Sequence, residues 1–237
     1  MTAKGNGARI TYRPVQGVLD TGLVRWSEGW TAVPGIAPLS STNRSPFATA
    51  PVDVDKGGRS WRIGTADDVA WIAGHTNDGL TVTAAIPPGF QAYATFYPGE
   101  GADITLHEHT IVDILKAHTT PQPWWLGYLD TGAHDIVFNT APQVTLYWDW
   151  RYVLVEAGPE QALTWRTGHM RGGLLGALPD LLFPADRTWL ASALWDDTWT
   201  DFGGSAELIE ALQRDPIANA RRVHPDQDAV PPGLTRE

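Results

Sequence analysis

His107-Glu108-His109 sets two imidazoles two residues apart. On a strand such a pair shares one face and could chelate a metal ion. On a helix the same pair points about 200° apart and cannot. Thr105 followed by Glu108 reads as a capping box, which puts both histidines at the start of a helix. A metal site would also need further convergent ligands. The chain has no cysteine, which rules out a cysteine-based zinc site, and neither a metal nor another cofactor is expected. His134-Asp135 is a second candidate, an acid/base pair on a turn. Adjacent strand residues face opposite sides, so polar turn groups bonded to local backbone are the competing reading. Asp196, Asp197 and Asp201 stand among Trp195 and Trp199. Paired carboxylates beside aromatic platforms are what sugar hydrolysis uses. Against that, Asp-Asp suits a hairpin turn and tryptophan is a common core residue. Asp130 and Glu156 complete the carboxylates on which a hydrolase would draw. Walker, G-x-G-x-x-G, G-x-S-x-G and H-E-x-x-H patterns are all absent from the sequence.

The elements that must position these residues centre on Gln122 to Gln161, which holds four of the twelve tryptophans. Leu126 to Leu129 is an apolar run closed by Asp130-Thr131-Gly132, and Asp135 to Phe138 is a second run. Gln143 to Trp148 alternates with the period of a half-buried strand. Arg151 to Ala157 is apolar throughout its middle, as a strand covered on both faces would be. Asp149-Trp150 between them implies a hairpin, and Gly158-Pro159-Glu160 opens a helix. Upstream, Ser60 to Ile63, Val69 to Ala73 and Leu80 to Ala85 read as short strands, the last two joined through His75 to Gly79. Phe90, Tyr93, Ala94 and Tyr97 fall at helical spacing and predict a helix over PPGFQAYATFY. Downstream, Thr167 to Pro184 is glycine-rich and loop-like. Trp189 to Trp195 and Thr198 to Phe202 form a hairpin, and Ser205 caps a final helix. These elements give an α+β fold: a largely antiparallel sheet of hairpins with a few helices packed on one side. Residues 1–58 read as an extended, partly mobile arm, 59–216 as a single globular domain and 217–237 as a fraying tail.

Composition narrows the function classes. The formal net charge is −10, with three lysines and fourteen arginines. That argues against a nucleic-acid backbone as ligand, which needs clustered cations. It suits a basic protein partner, or plain solubility. No signal-peptide pattern and no run of about 20 apolar residues stands in the sequence. A cytoplasmic protein with no membrane partner is therefore expected. The scarcity of lysine beside abundant Ala, Gly, Pro and Trp points to a GC-rich genome.

Three resemblances attach to particular residues. Asp130-Thr131-Gly132 after an apolar strand is similar to the catalytic turn of aspartic proteases, which need a second such Asp that this chain lacks. WWLGYLDTG, VTLYWDWRYVLVEAGPEQA, LPDLLFPADRTWLASALWDDTWT and AAIPPGFQAYATFYP resemble a family of actinobacterial hypothetical proteins, over about residues 60 to 215. That likeness implies a compact cytoplasmic domain and brings no catalytic residues. IPPGFQAYATFYP followed by a hairpin-rich sheet is similar to the SUKH-type immunity and regulatory superfamily, whose members have an early helix and often neutralise toxins by binding. Tyr97-Pro98-Gly99 stands where that group has asparagine-glycine.

The leading expectation is a non-catalytic binding module of immunity or regulatory type. Trp124, Trp148, Trp150 and Trp199 would form its contact patch. The alternatives are a hydrolase using paired carboxylates on a sugar or other small polar substrate, and a scaffold component docking through its N-terminal arm.

Overall fold

The computed structural model describes residues 23–26, 29–32, 50–76, 81–99, 101–130, 137–138, 140–166, 176–194 and 197–229. The chain divides into two units, 1–44 with 234–237, and 45–233. In the first, β1 (Leu23–Trp26) and β2 (Gly29–Ala32) pair as an antiparallel hairpin.

The second unit is an α+β fold around one ten-stranded sheet. Its strands are β3 (Val52–Lys56), β4 (Arg59–Ile63), β5 (Ala92–Phe96), β6 (Trp124–Leu129), β7 (Val144–Leu146), β8 (Trp150–Ala157), β9 (Leu181–Pro184), β10 (Leu190–Ser192), β11 (Thr200–Gly204) and β12 (Ala220–Val223). They run in the order β12-β5-β11-β10-β9-β6-β8-β4-β3, with β7 also on β8. Every pairing is antiparallel. The helices are α1 (Ala66–Ala73), α2 (Ile104–Ala117), α3 (Pro159–Ala162) and α4 (Ala206–Arg214).

The two sides of the sheet differ. One side carries Trp124, Leu126, Tyr128, Leu182, Ala191 and Phe202. Ile111 and Leu115 of α2, and Leu208, Ile209 and Leu212 of α4, pack onto it. On the other side, Phe183 meets Trp71 of α1 edge-on at 5.4 Å. A 3-10 turn, Val82–Ala84, lies between α1 and β5 in the chain and is buried throughout. A Cβ on Gly127 would come within 2.8 Å of the Leu181 Cβ, so only glycine lets those two strands approach as they do.

The central expectations match the observed elements. β6, β7, β8, α3, the β10–β11 hairpin and α4 occupy the stretches read for them. Other stretches adopt different structures. Val69 to Ala73 is the second half of α1, whose Thr65 backbone N–H and hydroxyl both donate to Asp68 Oδ2, at 2.8 and 3.1 Å. Val69 and Ile72 bury at helical spacing. Within Leu80 to Ala85, Thr81 makes one bridge to Asp228 and the 3-10 turn follows, in place of a strand. PPGFQAYATFY forms no helix. Its residues 92–96 are β5, buried on both faces, so the strand has no polar face to reveal its period. The early helix behind the SUKH likeness is therefore a strand.

α2 is present, but Asp103 caps it by accepting from the Leu106 N–H at 3.1 Å, not Thr105. Inside Thr167 to Pro184, Leu181–Pro184 is β9. The sheet also reaches into the expected arm and tail. β3 pairs with β4 across Gly57-Gly58, both at positive φ, and β12 pairs along β5.

Candidate functional site

The β7–β8 turn is the most unusual stretch of backbone in the sheet. Leu146 pairs with Trp150, and between them Tyr147 (φ 47) and Asp149 (φ 64) both sit in the left-handed region. Non-glycine residues adopt that region at an energetic cost, and bulky ones rarely do. The anchor is the Tyr147 hydroxyl. It lies 2.8 Å from the Ala85 carbonyl and 2.8 Å from Ser192 Oγ. The carbonyl can only accept, so Tyr147 donates to it and Ser192 donates to Tyr147. Burial pushes the Tyr147 hydroxyl well above the usual tyrosine pKa, with the Ser192 hydrogen bond opposing.

With Tyr147 pinned inward, Trp148 is turned out. It is 44% exposed, and its ring lies 5.0 Å from that of half-buried Trp150. A recess of about 390 Å³ opens beside it, lined by Thr76, Ala84, Thr145, Tyr147, Trp148 and Asp149 among others. That volume is in the range of small-ligand and side-chain pockets. Val52, Leu106 and Ile217 are also exposed, but Trp148 is the aromatic among the large exposed apolar side chains of the described residues.

Two polar clusters lie inside the fold, and no motif in the sequence announced either. The first runs straight across four strands. Ser192 is opposite Asp201, Asp201 opposite Thr95, and Thr95 opposite Arg221. Ser192 and Thr95 are fully buried and Asp201 nearly so. The available signal was a polar interruption within each apolar run: Thr95 in AYATF, Ser192 in WLASALW and Thr200-Asp201 in WTDFGG. The second cluster closes the ends of β6 and β9. Asp180 pairs with Arg166 through both guanidinium NH2 groups and also accepts the Leu129 N–H at 2.8 Å. Arg166 further donates to the Leu178 carbonyl at 3.1 Å and stands over the Tyr128 ring at 5.5 Å. Beside it, Glu108 of α2 accepts the N–H groups of Ala177 and Leu178 at 2.8 and 3.1 Å. Gly176 packs so closely there that any Cβ would overlap the Glu108 carboxylate. The residue read as half of a capping box therefore binds a distant loop.

His107 is 4% exposed while His109 is exposed, as opposite faces of a helix require. No group of three or more metal-ligating side chains exists among the described residues. Asp130 accepts from Gln143 Nε2, and its N–H donates to the Arg151 carbonyl at 2.8 Å. Glu156 lies five residues further along β8, about 17 Å away at the strand rise of ~3.4 Å per residue, and is tied to Arg62 at 3.3 Å. Asp130 and Glu156 therefore do not face each other as a catalytic pair would. Asp197 closes a turn after Leu194. His134, Asp135 and Asp196 lie outside the described residues. Trp124 and Trp199 are interior, at 2% and 7% exposure, so the four tryptophans do not form one surface patch.

His107 carries a pH prediction. Burial lowers its pKa, and the Ala218 carbonyl, 3.2 Å from Nε2, opposes this. Phe96 covers the ring at 5.9 Å. The folded chain thus binds this proton less tightly than the unfolded chain. Stability should fall as pH drops below the ordinary imidazole pKa, and this contribution should level off below the lowered folded value. Urea unfolding at pH 7 and pH 5 should show the loss, and His107→Gln should reduce it; an equal loss in the variant would assign it to other groups.

No protein-family model, no curated protein and no solved structure matches this chain. Among the described residues no helix is long and apolar enough to cross a membrane.

Proposed function

We propose that the protein is a non-catalytic protein-binding module of immunity or regulatory type, with the β7–β8 turn as its contact centre. One observation carries the reading. Trp148 stands exposed beside Trp150 on a backbone whose strained conformation is fixed from below by buried Tyr147. Exposed tryptophan on a rigid support is the typical anchor of a binding interface. Strain kept at a surface turn is more common at functional positions than elsewhere. The net charge of −10 favours a basic partner.

The test uses the purified protein as bait in extract from its host, with a salt-wash series and Trp148→Ala as a matched control. Trp148 is exposed, so the variant should keep its fold and melt within about 1 °C to 3 °C of the parent. A partner held by the parent at low salt, shed at high salt and lost by at least tenfold in the variant is the expected result. A partner held equally by both proteins would remove the turn as contact centre, and an empty bait would remove the reading itself.

A further inference from the structure

We infer that the recess beside Trp148 is a socket for one cationic side chain of the partner, and that its preferred occupant is an arginine guanidinium. The inference rests on the protein-binding reading and specifies its chemistry.

Three features of the recess point to a cation. The first is the ring itself. Elsewhere this chain covers its aromatics with its own cations: Lys56 over Phe138 at 5.3 Å, Arg59 over Trp61 at 4.1 Å, Arg62 over Trp125 at 4.9 Å and Arg187 over Trp71 at 5.6 Å. Among the described residues no cation stands over Trp148. Indole is the most favourable face for a cation, and the attraction grows as water is excluded. The second is Asp149, which lines the recess next to Trp148 and is exposed. It forms no ion pair among the described residues. The third is the C-terminal end of α1. Ala73 and Thr76 line the recess there, and the last turn of α1 has no basic residue. The carbonyl end of a helix adds negative potential. His75, next in the chain, lies with its Nδ1 3.1 Å from the Trp71 carbonyl.

Thr76 and Thr145 also line the recess, and a hydroxyl is a side-chain group that can accept. A guanidinium matches this set better than an ammonium. Its flat face stacks on indole while its edge N–H groups reach Asp149 and the threonines. The occupant is thus an arginine presented on a loop or helix of a basic protein.

Acetyl-arginine-amide is the probe, with acetyl-citrulline-amide as its neutral isostere. The readout is the indole N–H resonance of Trp148 in a titration of the 15N-labelled full chain, assigned by its loss in Trp148→Phe. Arginine amide should shift that resonance with millimolar affinity, and citrulline amide should not. Asp149→Asn should weaken arginine binding roughly three- to tenfold. Asparagine tolerates the left-handed backbone at least as well as aspartate, so this variant removes charge without removing the turn. Equal shifts from arginine and citrulline, or an unchanged affinity in Asp149→Asn, would overturn the inference. The two proposals fail separately. Arginine binding without any Trp148-dependent protein partner would keep the socket and remove the partner reading. A Trp148-dependent partner without arginine binding would do the reverse.

Discussion

Asp180→Ala should destabilise the fold by about 3 kcal/mol, the lower end of the cost of removing one member of a buried ion pair, because this pair is largely but not fully buried. The Arg166 and Asp180 side chains are only 10% and 18% exposed, so solvent offers little replacement. Asp180 does more than neutralise Arg166. The β6–β9 ladder ends at the Gly127–Leu181 pair. Beyond it the Leu129 N–H on that side meets no strand and donates to Asp180 Oδ2 instead. Removing the carboxylate therefore takes away the counter-charge of the Arg166 guanidinium and the acceptor of the Leu129 N–H together. Urea unfolding followed by tryptophan fluorescence should show a lower midpoint with an unchanged m-value. Arg166→Met alone should also destabilise. Arg166→Met with Asp180→Asn should cost clearly less than the sum of the two, because each single change leaves a charge behind. Additive effects would mean that the two groups are solvated independently.

The Asp180 cluster stands one strand away from the β8 strand that carries the Trp148 turn. β8 pairs with β6 from Trp124–Ala157 to Leu129–Tyr152, and then with β7 from Tyr152 to Trp150. The Arg166–Asp180 pair fixes the far end of β6, directly beside the start of that β7–β8 pairing. Tyr147 then spans from the turn to Ser192 on β10. Tyr147 thus ties the turn to β10 and to the Ala85 carbonyl, and an anchor at Trp148 would be preorganised by those two bonds. Preorganised anchors lose less entropy on binding.

What the sequence disclosed follows from how each element is covered. β7, with one polar position between two buried ones, shows its period. α4 has one apolar face and a Ser205 cap that accepts the Leu208 N–H at 3.2 Å, so both ends and the buried side could be read. β5 is buried on both faces, and its Tyr93 and Ala94 happen to match helical spacing, so periodicity misassigns it. The end of α1 looked like a strand because VAWIA is short and apolar, although Thr65 and Asp68 hold the cap signal three residues apart. Gly57-Gly58 between VDVDK and RSWRI was a readable hairpin signal for β3. β9 and β12 are four residues each, too short for any pattern to emerge. At the site, residue type singled out Trp148 and Trp150 but not exposure. Asp201, Thr95 and Ser192 come together only through strand order, which no local pattern encodes.

Tryptophan content alone therefore cannot separate anchors from core, and a pair of substitutions can. Trp124→Ala should cost about 3–5 kcal/mol, the range for deleting a large aromatic from a packed interior. Trp124 is 2% exposed and meets Trp189 edge-on at 5.0 Å. Trp189 in turn donates its indole N–H to Thr119 Oγ1 at 2.8 Å and stacks on Phe202 at 5.9 Å. Trp189 is thus held on two further sides and cannot collapse into the space, so most of the cavity should persist. Trp124→Phe should recover part of the loss by refilling the ring's near half. Trp148→Ala should change stability by no more than about 0.5 kcal/mol, as surface substitutions do. The crossed result discriminates between the two roles. At a temperature where both variants remain folded, Trp124→Ala should keep the partner and the arginine probe, and Trp148→Ala should lose both. Loss of binding in Trp124→Ala under those conditions would show that the sheet interior and the turn form one cooperative unit, in which case the contact surface extends beyond the β7–β8 turn.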